Sequence, residues 1–287
     1  MKLFKKLGVL TIILASVATA PFASAATSPG IGAANKFVIL SSTYSNTVGG
    51  TTLNGGLGYT IPPATNPTVN GPTHVADSVY NQAGIDQGNA LSILNNQPCS
   101  FNFAPGPIDL ASDTTHGPVG VYTPGVYCVA GAASIGGGGT VTLKGAGTYI
   151  FRMDGALSTS PNSIVTPTNG ASACDVWWTP TAATTLGANS NFVGTDIDAS
   201  GIAIGNTVTW TGQSLSFGGT VSTSSDTISA ASCTAARDAT PPAPVVAAKL
   251  PNTAFGSETA LYAGVAATIA AAISITAVLI YAIRKKA

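Results

Sequence analysis

Charge is what this chain has least of. Only 8% of its 287 residues are Asp, Glu, Lys or Arg, about a third of the share found in ordinary soluble domains. Its surface must therefore be made of hydroxyls and amides. Between residues 26 and 253 there is no glutamate, and ten aspartates face five cations, Lys36, Lys144, Arg152, Arg237 and Lys249, for a net charge of −5. An acidic chain with scattered cations offers no stripe for counterion release, which argues against nucleic acid as a partner. Only two histidines occur, His74 near a helix start and His116 in a Gly-Pro loop. Without a paired nucleophile or a Gly-x-Ser-x-Gly elbow, both are expected to be solvated and the chain is not expected to be an enzyme. There is no Cys-x-x-Cys pair for zinc, and Asp196 and Asp198 read as turn or coil-edge residues, so no metal and no cofactor are expected.

What is abundant is glycine, 33 residues, and proline, 18, which favour many turns over long helices. Short apolar-and-hydroxyl segments fill the stretch from Ala171 to Cys233. Phe192-Val193-Gly194, Val208 to Gly212 and Thr227-Ile228 recur about every 16 to 18 residues, a spacing natural for one coil of a β-solenoid. Coils stack roughly 4.8 Å apart, and side chains two apart on a strand lie roughly 6.7 Å apart, so small hydroxyl residues on one face form a two-dimensional grid. Lys36 to Leu40, Leu53 to Gly58, Thr140 to Leu143, Thr148 to Met153 and Asp175 to Trp178 read as further strands. Trp177 and Trp178 point to opposite sides of theirs, one into the core and the other at most an exposed sugar platform.

The apolar period changes from His74 to Asn95. Ala76, Tyr80, Ala83, Ala90 and Leu94 fall on one face, interrupted at Gln87, and Thr73 is a plausible N-cap. This predicts an amphipathic helix roughly 33 Å long that lies along the solenoid, with Gly84 and Gly88 permitting close approach. Four cysteines in an exported chain imply two disulfides. Of three pairings, Cys99 with Cys128 and Cys174 with Cys233 are preferred, because each closes a sequence-local module.

Both ends read as processing segments. Lys2, Lys5 and Lys6 precede an apolar run from Leu7 to Val17, and Ala23-Ser24-Ala25 suits cleavage after Ala25, so residues 1–25 are expected to be a signal peptide. The β-domain is expected over 26–233, followed by a Pro/Ala linker over 234–249 whose Pro241, Pro242 and Pro244 keep it extended. Leu261 to Ile283 is apolar for long enough to span a bilayer, and residues 284–287 form a basic tail that should stay cytoplasmic. Leu250-Pro251-Asn252-Thr253-Ala254 just before that span resembles the Leu-Pro-x-Thr-Gly sorting signal of Gram-positive surface proteins, with Ala254 in place of Gly. The resemblance implies a sortase that cuts after Thr253 and joins it to the cell envelope. The domain then stands outside the cell, anchored to wall or membrane.

A second resemblance covers about Gly30 to Cys233. The strand ending Phe37 to Leu40, the Asn54 to Gly58 turn, Val69-Asn70-Gly71, the helix beginning at His74, Thr123 to Tyr127, Tyr149-Ile150-Phe151, Ala173 to Trp178 and Thr184 to Gly187 together resemble the ice-binding-protein-like family, domain of unknown function 3494. That family implies a mainly β fold, a discontinuous right-handed parallel β-solenoid of triangular section with one long α-helix packed alongside. Its characterised members adsorb to ice. Some carry a Thr-(Ala/Gly)-x-(Thr/Asn) motif on a flat face; Thr181-Ala182-Ala183-Thr184 fits it, while Thr211 to Ser214 and Thr220 to Thr223 fit in part. The candidate ice contacts are then Thr181, Thr184, Thr211, Ser214, Thr220 and Thr223, and the expected partner is an ice crystal surface. A surface adhesin that binds a glycan, a host or a neighbouring cell is the alternative. A β-helical polysaccharide lyase is disfavoured, since no Lys or Arg base sits amid an acidic calcium cluster.

Overall fold

Short strands that alternate buried and exposed residues cannot bury their apolar side alone, and here they do so by winding. The computed structural model describes residues 25–233 and 240–242, and every strand pairing among them is parallel. Each coil contributes a segment to each of three faces. The first face stacks Phe101–Asn102, Gly125–Val129, the start of Tyr149–Thr159, the start of Val176–Leu186, the end of Asn191–Ile197, the middle of Thr209–Thr223, the start of Phe37–Asn46, Gly56–Tyr59 and Thr73–Val75.

The order of coils differs from the order of the chain. Phe37–Asn46 pairs on one side with Thr209–Thr223 and on the other with Gly56–Tyr59, so the N-terminal coils continue the stack beyond the C-terminal ones. A return connection across the whole stack is then required. The helix α1, Ser78–Asn95, supplies it.

Helix α1 covers the outer side of the first face. Tyr80, Ala83, Ala90 and Leu94 pack with Val126, Ile150, Trp177, Ile197, Leu215 and Leu40 in one apolar cluster. Its mixed composition gives weak intrinsic helicity, so this burial and its two ends must hold it. At the N-terminus Asp77, not Thr73, is the cap, accepting from the Tyr80 amide at 2.9 Å. Thr73–Val75 instead forms the last strand of the stack, and the helix begins at Ser78 rather than at His74. At the other end Arg152 donates to the Asn95 and Gln97 carbonyls at 2.5 and 3.1 Å, where a cation complements the helix dipole. Gly84 is needed for approach, since a Cβ there would lie 2.4 Å from the Phe217 ring; Gly88 faces open space.

The second cluster fills the inside of the coils. Tyr127, Phe151 and Trp178 stack along the axis with ring centroids 5.3 and 4.4 Å apart. Both tryptophans of the pair are fully buried, Trp178 inside the coil and Trp177 under the helix with its indole N–H on the Ser28 hydroxyl at 3.0 Å. The exposed-platform expectation for one of them is therefore corrected. Cys99 is bonded to Cys128 and Cys174 to Cys233, as the spacing suggested.

Among the described residues no helix is long and apolar enough to cross a membrane. The signal peptide up to residue 24, most of the linker, the sorting motif Leu250 to Ala254, the span Leu261 to Ile283 and the basic tail lie outside the described residues.

Candidate functional site

Two faces of the solenoid are left open to solvent. One stacks Val121–Tyr122, Thr140–Lys144, Ile164–Thr168, the start of Asn191–Ile197, the start of Thr209–Thr223, Thr227–Ser229, Thr52–Asn54 and Thr68–Val69. The middle residue of each triplet, Val141, Val165, Phe192, Trp210, Ile228 and Leu53, is buried. Alternation then turns the flanking residues outward. The first outward row reads Thr140, Ile164, Asn191, Thr209, Thr227, Thr52, Thr68 in continuous register over seven coils. The second pairs Thr142 with Thr166 and, further along, Thr211 with Ser229 and Asn54, while Val193 beside Thr211 is buried in the core cluster. Neither row holds an ionisable side chain. We call this the threonine face.

Its side chains and turns are held by polar contacts. The Asn70 amide donates to Asn54 at 2.8 Å and the Asn54 amide donates to the Ser229 hydroxyl at 2.9 Å, a ladder along the stacking axis. Asp226, buried under the corner before Thr227, accepts from the Val208 and Ser224 amides at 2.8 and 2.7 Å. Burial pushes its carboxyl up to about 6, against the pull of those two amides.

The other open face, the serine face, carries the outward row Ser134, Ser158, Thr185, Ala203, Ser222, Ser45, with Asp109 at one end. Register shifts interrupt its strands at Met153 to Ser158 and at Ser41 to Thr43.

The six candidate contacts named from the sequence do not come together. Thr211 stands in the second row of the threonine face, half-buried. Thr220 is exposed on the serine face beside Thr43, and Thr181 is exposed near the corner that leads onto that face. Thr184 and Ser214 are fully buried, and Thr223 is buried with hydrogen bonds to Tyr44 and Asn46 at 2.8 and 3.0 Å. Hydroxyls in those three places cannot meet an external surface. Missed from the sequence were Thr140, Thr142, Thr166, Thr209, Thr227, Ser229, Thr52, Asn54 and Thr68. Their signal is a hydroxyl or amide on each side of one large apolar residue, recurring once per coil.

The histidines are not solvated as expected. His116 is buried, with Nδ1 on Asp113 at 2.5 Å, Nε2 on the Val121 carbonyl at 3.0 Å and its ring stacked on Tyr122. Burial works against the Asp113 charge, but hydrogen bonds from His116 and Thr115 outweigh it and hold that carboxyl below its usual range. His74 is mostly buried and bonds Asp77 at 2.7 Å.

A three-faced parallel solenoid with a covering helix and two open faces lined mainly by hydroxyls defines the class. Residues 38–229 match the model of the Ice-binding-like family, and the chain belongs to that family. An ice-binding protein of Nostoc sp. (strain HG1) is 29% identical over 201 residues, 64% of this chain and 68% of that one. The crystal structure of an ice-binding protein from the Antarctic ascomycete Antarctomyces psychrotrophicus is 25% identical, with a TM-score of 0.62 over 71% of this chain and 98% of that one. An ice-binding protein from an Antarctic biological consortium superposes with a TM-score of 0.64 at 24% identity, over 72% of this chain and 93% of that one.

Proposed function

We propose that this chain adsorbs to ice through its threonine face. One observation carries the reading: an outward row of mainly Thr keeps register over seven coils, flanked by further Thr, Ser and Asn, with no charge among them. Adsorption to ordered water needs a flat, stiff array, because a mobile side chain loses ordering entropy on contact and a charge orients water its own way. Threonine, with a restricted χ1 and both a methyl and a hydroxyl, meets both demands. The names borne by the relatives agree with this reading.

The placement outside the cell is part of the same proposal. Two disulfides suit an oxidising compartment. Export through residues 1–25, sortase joining at Thr253 and transient retention by Leu261 to Ile283 would set the domain on the envelope. The winding is taken as right-handed, the hand that parallel crossovers adopt.

An ice recrystallisation assay on the full chain tests the function, with Thr227→Tyr as the disrupting variant. Inhibition by the parent and its loss in a folded Thr227→Tyr variant is the expected result. Glycan-array binding with no effect on ice would replace ice adsorption with the adhesin reading.

A further inference from the structure

The inward row that stacks Tyr127, Phe151 and Trp178 does not stay apolar. The next residues in register are Asp196 and Ser214, before Ile39 and Leu57 resume it. Two positions further along the same strands stand Asp198, Ser216 and Ser41, with Ser216 paired to Ser41. From the serine face Thr184 points inward toward the same corner, its amide bonded to Asp198 at 2.8 Å. All six residues are 0% exposed.

Most of this polar interior is unsatisfied. Both carboxylate oxygens of Asp196 and the hydroxyls of Thr184, Ser214, Ser216 and Ser41 have no hydrogen-bond partner. The Thr184 hydroxyl stands near enough to Asp196 to favour its charge, yet the two do not meet in hydrogen-bond geometry. Asp198 differs: it accepts from the Thr184 and Ser200 amides at 2.8 and 2.7 Å and so is the turn residue its position suggested. A buried hydroxyl without a partner costs roughly 1–3 kcal/mol, and an unpaired carboxylate costs far more. Folded chains do not leave such groups clustered around nothing.

The donor set says what the occupant is. It contains only carboxylate and hydroxyl oxygens, with no nitrogen or sulfur, and the ion pairs found among the described residues, His74 with Asp77 and His116 with Asp113, leave Asp196 and Asp198 out. We propose that the corner around Asp196 binds a hard cation of the sodium or calcium class, held between two adjacent coils by the Asp196 carboxylate and the hydroxyls of Ser214 and Ser216. Thr184 on the coil before and Ser41 on the coil after line the same corner at roughly 4.8 Å per coil without reaching the ion. Asp198 contributes its charge from the next position and fixes Thr184 through the amide. With the corner empty, burial and then the Asp198 charge drive the Asp196 carboxyl well above its usual range, with Thr184 opposing; a bound cation reverses that. The ion is structural, tying together two adjacent coils where the covered face meets the serine face.

The test uses the full chain, stripped with chelator and exchanged into tetramethylammonium buffer. Adding calcium chloride or sodium chloride at about a hundred times its Kd should raise Tm by roughly 5–10 °C. Choline chloride at equal ionic strength should not. The salt that acts identifies the ion, and elemental analysis should find about one per chain. Asp196→Asn should lose the response. If that variant does not fold, Ser214→Ala should keep the fold and weaken the apparent affinity by roughly tenfold through the loss of one ligand. No bound metal together with a Tm indifferent to both salts overturns the site, and so does an undiminished response in Asp196→Asn or Ser214→Ala. Because the readout is Tm, failure here leaves the ice reading standing.

Discussion

The two open faces are built by the same coils, yet only one is regular. Strands on the threonine face mostly begin and end there, as Thr140–Lys144, Ile164–Thr168 and Thr227–Ser229 do, so nothing disturbs their two-residue period. Where two strands run on to the covered face, the corner is taken at Gly194 and Gly212, both at positive φ. A Cβ on Gly212 would lie 1.8 Å from the Gly194 carbonyl. The serine face is reached differently, by long strands that carry on around a corner from the covered face, such as Tyr149–Thr159 and Phe37–Asn46. Bending a continuous strand spends its register in bulges. The result is one outward row interrupted by Ala203 on the serine face, against a first threonine row in register over seven coils and part of a second. A strand dedicated to a face keeps that face flat.

The largest expected effect comes from a bulky ring placed on either face in turn. Thr227→Tyr stands in the middle of the long row and should raise the concentration needed to inhibit recrystallisation by roughly tenfold or more. Ser222→Tyr, on the serine face, should leave it within about twofold. Circular dichroism should show both variants folded, since both side chains point outward. The opposite ranking would move the contact to the serine face.

Breaking the join between the chain's two parts is next in size. The stretch richest in hydroxyls, Thr209, Thr227, Thr52 and Thr68, crosses from the C-terminal coil to the N-terminal one, and Cys174–Cys233 fastens the chain just beyond Ser229. Replacing Cys174 and Cys233 by serine should cost about 2–4 kcal/mol of stability, read as a lower midpoint in guanidinium. Activity should fall as well, because the loosened strand lies at the centre of the row. A gain is expected from repairing the row's weak position: Ile164→Thr should lower the working concentration by about twofold, and an unchanged value would confine the contact to the coils beyond Asn191.

Much of this was readable before any coordinates. The recurrence of Phe192, Trp210 and Ile228 is the inward column they form, the helix face from Tyr80 to Leu94 is the one buried, and both disulfides follow from proximity in sequence. The site was less legible for two reasons. The motif Thr181-Ala182-Ala183-Thr184 spaces its hydroxyls three apart, and residues three apart on a strand point to opposite sides. Thr181 accordingly faces solvent while Thr184 faces the core. The second reason is topology: Thr227 meets Thr52 only because the first coil docks after the last, and no local period announces a pairing across 175 residues. Asp196 escaped for a related cause, since beside Asp198 it looks like a turn residue until its register with Trp178 is known.

The smallest effect concerns the corner that separates the two faces. Asp226 sits there with its carboxyl pushed up to about 6 by burial, so folding favours its protonated form. That contribution is fully present below the unfolded value near 4 and is lost as pH rises through about 6. In protein stripped of cations burial raises Asp196 and Asp198 in the same direction, so there the parent's Tm should decline over this window on account of all three. Asp226→Asn keeps a carbonyl oxygen for the Val208 or Ser224 amide and has nothing to titrate. Its Tm profile between pH 4 and 6 should therefore be shallower than the parent's without becoming flat. Because those amides hold the turns that lead to Thr209 and Thr227, any loosening at higher pH acts on the threonine face, whereas Ser222 and its neighbours are held by their own strand pairing. Parallel profiles for parent and variant would assign the whole slope to the Asp196 corner instead.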